Sequence, residues 1–243
     1  MKTQKKSSKN AVTAGVLIAL YFVTYLVIGA ISMPVPVLFL LMPMLADLLE
    51  KDYQLLVAIN QTGSLSWDTF WLLITNAWNW VPFFALILWA NFHFFARKEA
   101  WRIFFYAIGT LLLTVAITNT TKEIVGRLRP LHTEALIAQL RIVIGEKGYS
   151  FFSGHTSNSF ALTTFLYLVF RKRMRFAFWL FLWPLPYAYS RLYLGVHFPT
   201  DILVGLLVGV TTAWVGYWFY LRGKRHSTST DSQEYAPLPD QKF

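Results

Sequence analysis

His197 and Asp201 stand four residues apart at the start of an apolar run, with Arg191 six residues before the histidine. Four residues is about one helical turn, and Pro199 between them suits the first turn of a helix. From there Asp201 can accept a hydrogen bond from the Nδ1–H of His197. That contact fixes the tautomer and leaves Nε2 free as a nucleophile, the orienting arrangement of catalytic triads. An aspartate at the mouth of a membrane helix is costly unless it is paired or functional.

Two further polar clusters have the same character. In "YSFFSGHTSNSF" Ser153 and Gly154 immediately precede an apolar run, so a helix begins near His155. A Ser-Gly turn entering a helix offers free backbone N–H groups and a positive dipole end, which suit a phosphate. In "KEIVGRLRP" Lys122 and Arg129 are seven residues apart, about 20° from each other on a helix. Arg127 lies off that face, and Pro130 is expected to stop the helix. Taken singly, these clusters read as well as a snorkelling cation pair, a plain N-cap and a structural ion pair. Together they supply three cations, two histidines, one carboxylate and an anion-receptive helix start, which is what phosphoryl transfer without a metal requires.

The elements that position them are membrane helices. Of the 243 residues 56% are hydrophobic and only 14% charged, against about 25% charged in a soluble domain, and mean hydropathy is +0.45. There is no cysteine, which removes disulfides and thiolate metal sites. A net charge of +10 raises the question of nucleic acid, but the basic residues fall in short clusters between apolar runs, as membrane topology is written, so no nucleic-acid partner is expected. Spans are expected at 11–31, 80–96, 103–121, 156–170 and 201–221, with a shorter sixth at 176–190 carrying Pro184 and Pro186. The run 35–45, broken by Pro36 and Pro43, is too short to span and is assigned to the interface. Residues 65–79, with Trp67, Trp71 and Trp78, read as an interfacial helix in the aromatic belt.

The expected fold is therefore all-α, a six-transmembrane helix bundle (11–221) with an outer-face interfacial helix, a cytoplasmic segment 1–10 and a polar, disordered tail 222–243. Six spans put both termini on one side together with four basic clusters: Lys2 to Lys9, Arg97 to Arg102, Arg171 to Arg175 and Arg222 to Arg225. The positive-inside rule makes that side the cytoplasm. Lys122, Arg129, His155, Arg191 and His197 then share the outer face. Asp47, Glu50 and Asp52 are expected to stay solvated there, and His132, His93 and His226 receive no role.

These motifs also carry a resemblance. K-x6-RP (Lys122, Arg129, Pro130), SGH (Ser153, Gly154, His155) and SR-x5-H-x3-D (Ser190, Arg191, His197, Asp201) resemble, in order and spacing, the three motifs of the type-2 phosphatidic acid phosphatases. This is the lipid phosphate phosphatase superfamily that shares its core with vanadium haloperoxidases. One departure is Phe152, where the family's second motif usually has proline. The resemblance implies that His197 attacks phosphorus and forms a phosphohistidine, that Asp201 orients it, and that His155 protonates the leaving oxygen. Lys122, Arg129 and Arg191 would hold the phosphate oxygens, with Ser153 and the Gly154 N–H adding hydrogen bonds. It implies a metal-independent enzyme without cofactor, whose partners are a membrane lipid phosphate and the bilayer.

The motifs read the phosphate and leave the lipid open. Undecaprenyl diphosphate, phosphatidylglycerophosphate and lipid A each present a phosphate at the surface and an apolar tail within the bilayer. An outward-facing site in a plasma (inner) membrane favours undecaprenyl diphosphate, which is released there. Lipid-to-lipid phosphotransfer would use the same residues. A transporter that binds phospholipid without hydrolysis would need the cations but no oriented nucleophile.

Overall fold

A computed structural model describes residues 35–234, and every regular element among them is helical. The α-helices are α1 (Val35–Gln61), α2 (Leu65–Thr75), α3 (Val81–Phe94), α4 (Arg97–Val125), the short α5 (Glu134–Ile137), α6 (Gly154–Phe170), α7 (Pro184–Tyr193) and α8 (Pro199–Glu234). The expected span 11–31 and the segment 1–10 lie outside the described residues.

Helices α4, α6 and α8 form the centre, with α6 against α8 the most extensive contact. Their interface is built from small and hydroxylated residues, which let helices approach closely where lipid tails provide no hydrophobic drive. A Cβ at Gly205 would lie 2.8 Å from the Ser153 carbonyl oxygen, and one at Gly209 2.4 Å from that of Ser157, so only glycine fits where α8 crosses α6. Thr114 bonds Thr212 at 2.9 Å, and Thr118 bonds Ser157 at 3.0 Å. Below this polar seam an apolar core gathers Ile103 of α4, Phe165 and Phe170 of α6, and Ala213 and Tyr217 of α8. The outward faces carry exposed Trp89, Phe105, Leu112, Leu203 and Leu207, the surface a bilayer would cover.

Two stretches among the described residues are long and apolar enough to cross a membrane, Arg97–Ile137 and Pro199–Lys224. A third exists if Leu65–Thr75 and Ala77–Phe94, bent by 65°, count as one broken span. The expected spans at 103–121 and 201–221 fall within the first two. Residues 65–79, expected to form an interfacial helix, fold as α2 followed by a 3₁₀ turn at Ala77–Trp80. The expected span 176–190 is divided: a 3₁₀ segment covers Ala177–Leu182, and α7 starts afresh at Pro184. Proline lacks the N–H needed to continue a helix but suits a first turn.

The stretch 35–45, assigned to the interface, opens the 27-residue helix α1, which runs through Pro43 and on to Gln61. Lys51 pairs with Asp47 at 2.7 Å and Gln54 with Glu50 at 2.8 Å, both one turn apart, so these side chains support the helix. At the other end α8 continues past Arg222 to Glu234, over the first part of the expected tail.

Candidate active site

The site forms where α4, α6, α7 and α8 end on one face. Gly126 terminates α4 in the left-handed conformation (φ 62°), its N–H bonded to the Lys122 carbonyl at 3.0 Å. This is the C′ glycine stop, and it comes before the expected stop at Pro130. Arg129 is therefore on extended chain, and the helical-stripe argument for Lys122 and Arg129 does not hold. The two still converge: Lys122 lies within electrostatic reach of Arg129, Arg191, Asp201 and Glu146.

His197 is buried in the turn before α8. Its Nδ1 lies 3.4 Å from Asp201 Oδ2, and its Nε2 lies 3.3 Å from Arg129 Nη1. A guanidinium has only donors, so Nε2 accepts and the proton sits on Nδ1, facing the carboxylate. Burial pushes the His197 pKa down to about 4, against the raising influence of Asp201. The imidazole is thus neutral at neutral pH, with its Nε2 lone pair directed at the cations.

Asp201 is held from four sides. Arg127 Nη1 donates to Oδ1 at 2.8 Å, the Phe198 N–H donates to Oδ2 at 2.9 Å, and the Ser150 hydroxyl also donates to Oδ2, where His197 approaches. Arg127 in turn reaches Asp52 of α1 at 2.7 Å, and Asp52 accepts from the Thr200 N–H at 2.8 Å. The guanidinium stacks 3.8 Å over the Phe198 ring. Asp52 is only 4% exposed, which corrects the expectation that it stays solvated.

Ser153 caps α6: its hydroxyl oxygen accepts from the Thr156 hydroxyl at 3.0 Å and, more weakly, from the Thr156 N–H at 3.4 Å. Its own N–H donates to the Asp201 carbonyl at 3.1 Å, tying the two helix starts together. Gly154 packs against Thr118. His155, in the first turn, lies 5.2 Å from the Tyr187 ring and within electrostatic reach of Arg191, Glu146, His197 and Lys122. Beside it a cavity of about 440 Å³ runs between Phe84, Leu111, Leu162 and Trp183.

Arg191 is fully buried on α7. It donates to Thr75 at the end of α2 and to Glu146, and the same carboxylate pairs with Arg129 at 2.6 Å. Burial alone would raise the Glu146 pKa, but Arg191 and Arg129 hold it below the usual carboxylate range. The loop carrying Glu146 is fastened on both sides. Arg129 Nε donates to the Lys147 and Gly148 carbonyls at 3.2 Å, and the Ser150 N–H donates to the Arg127 carbonyl at 2.7 Å. On the other side, before Glu146, Asn60 Oδ1 accepts from the Arg141 N–H at 2.7 Å, and Arg141 Nη2 donates to both oxygens of Asp68 at 2.8 and 3.0 Å.

All eight residues singled out from sequence, namely Lys122, Arg129, Ser153, Gly154, His155, Arg191, His197 and Asp201, thus share one site. Asp52, Arg127, Ser150 and Glu146 were missed. Arg127 sits within the first motif but was set aside for its helical angle, and Glu146 gave no sign beyond a lone acid in a loop flanked by basic motifs. Among the described residues no group of three or more His, Asp or Glu is placed to hold a metal.

A cation cradle, an oriented imidazole and converging helix ends in an all-helical membrane protein define a class. The chain belongs to the PAP2 superfamily, whose profile matches residues 103–225, and it is a membrane lipid phosphatase, a metal-independent phosphoric-ester hydrolase. Among individual proteins it is similar to the lipid A 4′-phosphatase of Bacteroides thetaiotaomicron, 33% identical over 207 residues that cover 81% of this chain and 86% of the relative. The lipid A 4′-phosphatase of Porphyromonas gingivalis is 33% identical over 183 residues, covering 72% of this chain and 75% of the relative. The fold is similar to that of the transmembrane PAP2-type phosphatidylglycerolphosphate phosphatase of Bacillus subtilis, with a TM-score of 0.59 at 18% identity over 83% of this chain and 94% of that one.

Proposed function

We propose that this protein removes the 4′-phosphate of lipid A through a phosphohistidine on His197. The observation that carries the mechanism is the imidazole held between Asp201 at Nδ1 and Arg129 at Nε2. The substrate choice rests on the two lipid A 4′-phosphatases that match most of the chain. Undecaprenyl diphosphate, favoured from sequence by the outward-facing site alone, has no comparable support.

In this reading the His197 Nε2 lone pair attacks phosphorus and forms the P–N bond as the P–O bond to the sugar breaks. Arg129, Arg191 and Lys122 neutralise the equatorial oxygens, where charge gathers in the transition state. His155 gives its proton to the leaving sugar oxygen. A phosphate dianion entering this cluster favours the imidazolium form that such a donor needs. His155 then takes a proton from water as that water attacks phosphorus, which releases phosphate and restores neutral His197. Asp201 keeps the Nδ1 proton in place throughout. The apolar cavity beside His155 lies on the leaving-group side and suits the hydrocarbon part of the lipid.

The test is phosphate release by the purified protein from lipid A bisphosphate and from undecaprenyl diphosphate at matched concentrations. Lipid A lacking only the 4′-phosphate is the expected product. Release from undecaprenyl diphosphate alone would overturn the substrate assignment, and transfer to an added acceptor lipid without free phosphate would make the enzyme a transferase. We also place the active site on the extracytoplasmic face of the plasma membrane, from the basic clusters that share one side. A cysteine at Lys147 should then react with an impermeant thiol reagent in intact cells and one at Lys172 should not; the reverse pattern inverts the topology.

A further inference from the structure

Glu146 occupies the place that the proposed chemistry reserves for phosphate. Its two oxygens bridge Arg129, from the chain after α4, and Arg191, from α7. These arginines come from different elements, and this carboxylate bridges them. Exposure gives the order of the layers: the Glu146 side chain is 23% exposed, whereas Arg129 and Arg191 beneath it are 6% and 1% exposed. An incoming anion meets the carboxylate first and cannot reach both guanidiniums while it stays. The loop backbone is fastened at Lys147, Gly148 and Ser150. The side chain can therefore turn out toward water without the loop coming loose.

Resting on the phosphatase reading, we propose that Glu146 is an internal competing anion that sets the affinity threshold of the arginine cradle, so that a doubly charged phosphate monoester occupies it and a singly charged phosphodiester does not. A carboxylate carries one negative charge, as does a phosphodiester, so a diester gains nothing over the group it must displace. A monoester brings nearly two charges at neutral pH and a third oxygen for Lys122. The distinction is chemically necessary because a bilayer presents phosphodiester head groups in great excess at the same depth. An open cradle of three cations would be occupied by them. The low pKa of Glu146 is consistent with this, since the carboxylate is charged whenever the enzyme works.

The experiment uses the full chain in detergent, hydrolysing a chromogenic phosphate monoester, with methyl phosphate and dimethyl phosphate as competing inhibitors. Wild type should be inhibited by methyl phosphate at least about tenfold more strongly than by dimethyl phosphate. Glu146→Gln keeps the shape and removes the charge. If the carboxylate leaves the cradle open in about one molecule in ten, the variant should bind both inhibitors tighter by about tenfold, and dimethyl phosphate should become an effective competitor. Glu146→Asp keeps the charge and should keep dimethyl phosphate a poor competitor. A purely structural Glu146 would instead lower kcat and weaken both inhibitors, and that result, or an unchanged dimethyl phosphate constant, overturns the proposal. Equal inhibition of wild type by the two esters overturns it without any variant. A wild-type enzyme that releases no phosphate from any lipid monoester would sink the phosphatase reading itself, which distinguishes the two failures.

Discussion

Arg127→Met removes the side chain that joins Asp52 of α1 to Asp201 of α8, and its cost can be worked from the contacts. Arg127 makes ion pairs at 2.7 Å to Asp52 and 2.8 Å to Asp201, whose side chains are 1% and 0% exposed. Removing it leaves two carboxylates inside the protein without their cation. Breaking a buried pair costs about 3–5 kcal/mol. Arg127 itself is 17% exposed, so water can partly replace it, and about 3 kcal/mol is the appropriate end of that range. At 2–4 °C per kcal/mol for a chain of this size, the melting temperature should drop by about 6–12 °C in a thermal-shift assay. Activity should fall as well, because Asp201 loses the cation that is hydrogen-bonded to it. Loss of a comparable outer partner costs about 10–100-fold at metal-ligating histidines, and the same range is expected in kcat/KM here. Asp52→Asn should be milder, since Arg127 keeps its bond to Asp201. The double variant should be less damaging than the sum of the two, with a coupling of about 0.5–3 kcal/mol. An Arg127→Met protein with wild-type melting and turnover would refute the claim that this bridge positions Asp201.

Three other outcomes are expected. His155→Ala should lower turnover of a lipid phosphate by about 10²–10⁴-fold but spare much of the activity on p-nitrophenyl phosphate, whose leaving group needs no proton; equal losses would remove His155 as the acid. Gly209→Ala puts a Cβ 2.4 Å from the Ser157 carbonyl oxygen, an overpacking worth about 1–3 kcal/mol, so melting and kcat should fall together as α6 moves away from α8; unchanged melting would show that the crossing yields freely. With His197 titrating at about 4, kcat/KM should not fall through loss of neutral His197 until pH approaches that value. The pKa is lowered on folding, so the unfolded chain takes the proton first, and stability should be lost as pH falls from about 6.5; a profile that already breaks near 6.5 through His197 would contradict the buried, neutral imidazole.

The chemistry was legible where it is written in short spacings. His197 and Asp201 one turn apart and Ser153 and Gly154 before an apolar run each announce a local geometry, whereas the spacing of Lys122 and Arg129 suggested a shared helix face that does not form. The supporting contacts were illegible because they join distant positions. Asp52 meets Thr200 across 148 residues, and nothing near it separates it from its solvated neighbours Asp47 and Glu50. Glu146 meets Arg191 across 45 residues from a loop without periodicity. The end of α4 was misplaced for a different reason: Pro130 is the louder signal, but Gly126 can adopt the left-handed conformation and ends the helix earlier. The length of helix α1 was illegible because Pro36 and Pro43 break the apolar run, whereas the helix runs through Pro43 and tolerates charges that pair one turn apart. The α6–α8 crossing follows from Gly205 and Gly209, which sequence reading took only as part of a span.

The central claim is that His197 carries the phosphoryl group, and rapid-quench labelling tests it most directly. Enzyme mixed with ³²P-labelled lipid monoester and quenched in alkali within milliseconds should yield an alkali-stable, acid-labile phosphoprotein. Proteolysis should place the label on the peptide containing His197, and His197→Ala, still folded, should acquire none. Label on His155 or on a hydroxyl residue, or wild-type turnover by the His197→Ala protein, would contradict the account.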